Sequence, residues 1–232
     1  MTERPILFSG PLVRAILNGR KTETRRLVAK STSKAFDQTG RACGWRPVPA
    51  DAKRVDAAMK GEHERRSMLS CPQSGFIAPR IHTRDDLWVR ESWRPLLELD
   101  DVKPSEIPIG ATIMYEADGA WLPDVPGQVE AFGDLQPSIF LPRWASRITL
   151  RVTDVRAERL QAIDEAGAMA EGVDPLLPTP DDFDPSKCQR VLDPRAKFRE
   201  LWDSINGKRD GASWAANPWV WVIKFEVAEV ER

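Results

Sequence analysis

Eight consecutive residues, Gly19-Arg20-Lys21-Thr22-Glu23-Thr24-Arg25-Arg26, hold a lysine, two hydroxyls, a carboxylate and three arginines. Such groups can move a proton, attack a carbonyl or grip an anion. A second stretch, Asp86-Leu87-Trp88-Val89-Arg90-Glu91-Ser92-Trp93, is read as its partner, the two meeting in one polar site. A third, Pro142 to Arg147, combines Arg143, Trp144, Ser146 and Arg147. That mixture of cation, aromatic ring and hydroxyl suits contact with phosphates and bases, and it equally suits a structural loop.

Local pattern indicates how these residues are held. Pro5 to Phe8 reads as a short strand, and Ser9 as the N-cap of a helix with Pro11 in its first turn. Leu12, Val13, Ile16 and Leu17 form the apolar face of that helix, and Gly19 suits its C-terminal end. Lys21 and Thr24 have opposite parity, so a fully extended chain would point them to opposite faces. If both serve one site, the chain must turn between them. In Leu87–Trp93, by contrast, Glu91 is in phase with Leu87, Val89 and Trp93. A carboxylate on a core-facing row is costly unless paired. Glu91 is therefore a site candidate, or else half of a structural ion pair with Arg25, Arg26 or Arg90.

Further strands are expected at Thr112–Glu116, at Ile148–Val152 and at Trp219–Val227, the last with Trp219, Trp221, Ile223, Phe225 and Val227 on one face. Asp164 is a plausible N-cap for a helix from Glu165 to about Gly172. Phe198, Leu201, Trp202 and Ile205 follow amphipathic spacing, and Asn206-Gly207 stops that helix. Pro142 argues against an ordinary central strand there. Regular strand–helix–strand alternation is missing, so a doubly wound parallel sheet is not expected. The order fits an α+β, mainly β architecture, a small antiparallel barrel with helices outside it. The chain reads as a single domain, 1–232, with an irregular insertion at about 28–83. The charge runs Asp51–Arg54 and Lys60–Arg66 within the insertion read as a solvated face, or alternatively as a phosphate grip.

Composition limits the partners. The 232 residues carry 34 basic and 35 acidic side chains, a net charge of -1 that argues against bulk DNA coating and leaves room for a local basic pocket. No apolar run approaches membrane-spanning length, and the first residues lack the layout of a signal peptide. Cys43, Cys71 and Cys188 are too few and too scattered for a disulfide framework, which points to a cytoplasmic location. His63 and His82 are the only histidines, without metal-ligand spacing, so no metal and no cofactor are expected. Of the nine tryptophans, most belong in a core and a few could stack bases.

The segment Gly19–Arg26 resembles the signature of ASCH domains, which have a PUA-like β-barrel fold, with the pattern Gly-x-Lys-x-x-Glu-x-Arg. Gly19, Lys21 and Arg26 match it, and Thr24 stands where the pattern has Glu. The ordered set of Leu87–Trp93, Pro142–Arg147 and Asn217–Trp221 is similar to a long ASCH-like type common in phages and prophages. Within the family, a small bacterial N4-acetylcytidine amidohydrolase uses a lysine, a threonine three residues later and a distant glutamate. The resemblance thus implies Lys21 as base, Thr24 as nucleophile and Glu91 as the third member. The neutral amine that Lys21 would need requires burial, and a nearby Glu91 works against it. The alternative is a non-catalytic module for single-stranded RNA. There Lys21, Arg25, Arg26, Arg90, Arg143 and Arg147 contact the chain, and Trp93 and Trp144 contribute stacking surface.

Overall fold

A computed structural model describes residues 2–28, 46–47, 69–71, 75–77, 79–123, 131–173 and 193–231. In chain order the elements are β1 (Glu3–Leu7), α1 (Gly10–Leu17), β2 (Glu23–Leu27), β3 (Arg46–Pro47), β4 (Leu69–Cys71), β5 (Gly75–Ile77), β6 (Asp86–Arg90), β7 (Trp93–Pro95), β8 (Ile113–Tyr115), β9 (Trp121–Leu122), β10 (Ile148–Arg159), α2 (Glu165–Ala170), α3 (Pro194–Asn206) and β11 (Trp219–Val230). They fall into two compact units. One comprises Met1–Arg20, Arg84–Val152 and Phe225–Arg232; the other comprises Lys21–Thr83 and Thr153–Lys224.

In the first unit the sheet runs β1, β6, β10, β11, using the first part of β10 and the last part of β11. β1 is parallel to β6, with Ile6 opposite Val89, and β6 is antiparallel to β10 through Trp88 and Thr149. Helix α1 starts from the extended residue Ser9, has proline in its first turn and buries Val13, Ala15 and Ile16. It ends at Asn18, and Gly19 takes a φ of 69°, a left-handed conformation that glycine adopts without steric cost. A second sheet, β7-β8-β9, is antiparallel. It buries Trp93, Ile113 and Tyr115 with Ile107, Leu141 and Ala145. The single strand expected over Leu87–Trp93 is divided between β6 and β7, and Glu91 and Ser92 form the break. The core-facing row survives that break: Leu87, Val89, Glu91 and Trp93 are all buried. Pro142 opens a 3-10 turn over Arg143–Ala145.

The second unit has the sheet order β10, β11, β2, with Val220 opposite Leu27 and Lys224 opposite Glu23. Helix α2 is capped by the Asp164 carboxylate, which accepts from the Gly167 N–H. Helix α3 is capped by Asp193, begins with Pro194 and ends at Gly207. Phe198 and Trp202 pack with Leu160, Ile163, Ala168, Val220 and Val222 into one apolar cluster. The amphipathic stripe is narrower than its spacing suggests, because Ile205 is exposed and Asn206 takes the buried place. β11 is buried on both faces from Val220 to Ile223, whereas Val227 is exposed, so burial does not follow strict alternation. β3, β4 and β5 pair as a small antiparallel sheet inside the stretch read as an insertion. The two charge runs of that stretch, with Cys43, His63 and Cys188, lie outside the described residues.

The chain is a mixed α/β, β-rich fold. The small barrel expected from sequence is not closed among the described residues: β1 ends the sheet of one unit and β2 that of the other. Closure requires the terminal strands to pair with one another, and a strand list read from sequence carries no such pairing. No helix among the described residues is long and apolar enough to cross a membrane.

Candidate functional site

In the second unit, Lys21 leaves the turn after Gly19 as an isolated bridge to Glu171, and β2 begins two residues later. The Thr22 N–H donates to the carbonyl of Ala170, the last residue of α2. This tie fixes the segment before β2 against the end of α2, and the backbone from Lys21 to Thr24 shows a bridge and a strand start instead of the turn that one shared site demands. The Lys21 side chain has no exposed surface. Its ammonium donates to the Glu23 carbonyl at 2.7 Å and to the Glu171 carbonyl and Oε2, each at 2.8 Å. Burial pushes the amine below the ordinary lysine range, against the opposing pull of the Glu171 carboxylate. Because Glu171 caps α2, the ammonium also meets the negative end of a helix.

Thr24 is buried on β2, and its Oγ1 accepts from Arg26 Nη1 at 2.9 Å. Arg25 is enclosed by carboxylates. Its Nη1 lies 3.2 Å from Glu171 and 3.5 Å from Glu23, and its Nη2 lies 3.7 Å from Glu158. Its guanidinium also sits over the Phe198 ring, 5.8 Å from the centroid. Glu23 is paired further with Lys224 at 3.1 Å. The structure thus brings together an amine, a hydroxyl and two arginines of the Gly19–Arg26 segment, and the carboxylate that engages the amine is Glu171. Sequence reasoning missed Glu171. Its one local signal was its place at the end of the helix capped by Asp164, and its contact with Lys21 spans 150 positions.

Glu91 belongs to the first unit, where only 1% of its surface is exposed. Its two carboxylate oxygens accept from Nε and Nη2 of Arg147, both at 2.9 Å. Arg147 Nη1 and Nη2 donate in turn to Asp118 at 2.9 and 3.0 Å. The guanidinium lies over Tyr115, 4.1 Å from the ring centroid. Burial pushes Glu91 above the usual carboxylate range while Arg147 opposes the shift. Burial also acts to raise Asp118, but the hydrogen bonds from Arg147 and the Ala120 N–H prevail and hold it low. The ion-pair alternative named Arg25, Arg26 or Arg90 as the partner of Glu91; the observed partner is Arg147.

The remaining candidates have diverse surroundings. Arg90 and Arg143 flank the Trp88 ring, 4.6 and 5.8 Å from its centroid, and Arg143 is bonded to both carboxylate oxygens of Glu3. Trp93 is wholly buried, and Trp144 packs half-buried against the same core. The Trp93 Nε1 finds no hydrogen-bond partner among the described residues. No group of three or more metal-binding side chains occurs among the described residues. Comparison with protein-family models, with curated proteins and with solved structures found no match for this chain. What fold and site define is therefore a class: a β-rich α/β chain with a buried Lys–Thr–Glu–Arg cluster.

Proposed function

We propose that the chain is an ASCH-type protein of PUA-like fold that recognises a nucleoside and hydrolyses the amide of an N4-acylated cytidine or a similar modified base. The observation that carries this reading is the Lys21–Glu23 hydrogen bond. It puts an amine whose pKa burial has lowered against the peptide unit that leads into the Thr24 hydroxyl. A lysine that sheds its proton more readily than usual is a suitable base for a threonine nucleophile. Arg26, already donating to Thr24 Oγ1, favours negative charge on that oxygen.

In the proposed reaction Lys21 takes the Thr24 proton and Oγ1 attacks the acyl carbon. The carbon–N4 bond breaks, and Lys21 returns the proton to the departing N4 amine. Water then cleaves the threonine ester, with Lys21 again as base. The products are cytidine and a carboxylic acid, and the Thr24 hydroxyl is restored. Glu171 orients Lys21 in this scheme, whereas the family resemblance gives the carboxylate role to Glu91. Release of cytidine from N4-acetylcytidine by the purified protein tests the reading. Thr24→Val should abolish release and Thr24→Ser should retain part of it. Full activity in Thr24→Val would remove threonine from the chemistry. Activity lost in Glu171→Gln but kept in Glu91→Gln would assign the carboxylate to Glu171, and the reverse would assign it to Glu91.

A second reading, a single-stranded RNA module, is favoured by the two guanidiniums stacked about Trp88. RNA affinity that falls steeply with salt, with no deacylation, would support it.

A further inference from the structure

We infer that the first unit contains a separate binding site for a small organic cation with an aromatic or alkyl body. The site is a cavity of about 620 Å³ between the end of α1, the turn into β9 and the end of β11. That volume is in the range of small-molecule pockets, roughly 300–1,000 Å³.

The charge of the lining selects the ligand. Arg147 is the cation among the lining residues, and four of its N–H groups are already directed at Glu91 and Asp118. Its positive charge is thus met twice before any ligand arrives. Two further polar residues, Asn18 and Glu231, line the cavity. The Glu231 carboxylate is close enough to Arg143 to help hold that guanidinium charged, and its backbone N–H is fixed to the Arg147 carbonyl at 2.8 Å. An incoming anion would meet Asp118 and Glu231, and the one guanidinium among the lining residues is already bonded to two carboxylates. An incoming cation would meet two carboxylates and the carbonyl oxygen of the Asn18 amide.

The rest of the lining accommodates an apolar body. Trp121 is partly exposed and is braced by Phe132 at a centroid distance of 6.1 Å. An indole face beside carboxylates attracts an ammonium or amidinium by cation–π interaction. Leu17 and Val230 complete an apolar wall on which a ring or alkyl chain can lie. Neither Trp121 nor Glu231 belongs to the Lys21–Thr24 cluster, so the inference stands whether or not deacylation is observed.

The probe is phenethylamine, protonated at neutral pH, compared by titration calorimetry with the neutral phenethyl alcohol and the anionic 3-phenylpropionate. The amine is expected to bind with an affinity at least about 10-fold above the alcohol, with no detectable binding of the acid. Glu231→Gln and Trp121→Leu should each weaken amine binding by roughly 5-fold, in keeping with an exposed cation–π or ion-pair contact. Both side chains are exposed, so both variants keep the fold. The inference is overturned if the acid binds as well as the amine, if neither substitution affects amine binding, or if the amine does not bind at millimolar concentration.

Discussion

Replacing Glu171 by glutamine tests whether the Lys21 cluster is as desolvated as its geometry implies. In the folded protein the carboxylate accepts from Lys21 Nζ at 2.8 Å and Arg25 Nη1 at 3.2 Å, and both cationic side chains are almost fully buried. A hydrogen bond to a charged group contributes about 1.5–3 kcal/mol. Removing one partner of a buried pair costs about 3–5 kcal/mol, because the other charge remains without compensation. Glutamine retains one acceptor oxygen, so the expected loss is about 3 kcal/mol at pH 7. The deficit should depend on pH. The Lys21 amine already titrates below the unfolded value of 10.5, so between its folded pKa and 10.5 the folded state binds fewer protons than the unfolded one. Stability therefore rises with pH through that window. Loss of Glu171 removes the influence that raises the amine, and the window extends toward neutrality. Urea unfolding of parent and variant at pH 7 and pH 9 should show a gap that narrows at the higher pH, because the variant's Lys21 holds less proton than the parent's and the carboxylate matters less as the amine loses charge. Arg25 keeps its charge, so the gap should not close. A loss under about 1 kcal/mol that is equal at both pH values would refute the description of this cluster as buried and charge-coupled.

Arg147→Met should destabilise the protein by about 3–5 kcal/mol at pH 8, since Glu91 would be left buried without its partner. Glu91 already titrates above its ordinary value, so the folded state binds more protons above pH 4.5 and stability rises as pH falls through that window. The deficit of the variant should shrink at pH 5, and urea midpoints at the two pH values measure it. Phe198→Ala removes a ring packed against Trp202 and Trp214 and should cost about 3–5 kcal/mol, a drop in Tm on the order of 10 °C by calorimetry.

Much of the local structure was legible in the residues. Ser9, Pro11 and Gly19 bracket α1 because helix entry, proline placement and left-handed glycine depend on a few neighbouring residues, although the Ser9 side chain makes no capping hydrogen bond. Asp164 starts its helix for the same reason, whereas Asp193, which caps α3, was not singled out in the sequence. The burial of Glu91 was also readable, since side-chain alternation placed it in phase with Leu87, Val89 and Trp93. Parity asked for a turn between Lys21 and Thr24 if both serve one site; the backbone there holds a bridge at Lys21 and the start of β2.

Charge pairing was not legible. Arg147 lies 56 positions from Glu91, and Glu171 lies 150 from Lys21. Nothing in strand period or helix spacing ranks one arginine above another over such distances. Pairing also reverses the sense of several candidates. Arg25 and Arg147 look like phosphate ligands in a list of cations, but each is surrounded by carboxylates once folded. Sequence alone determined where most of the helices and strands lie and that Glu91 sits on a core-facing row, because propensity and periodicity act between neighbours. Tertiary structure alone decided which carboxylate faces which cation, and whether the sheets close, because those choices depend on strand pairing across the whole chain.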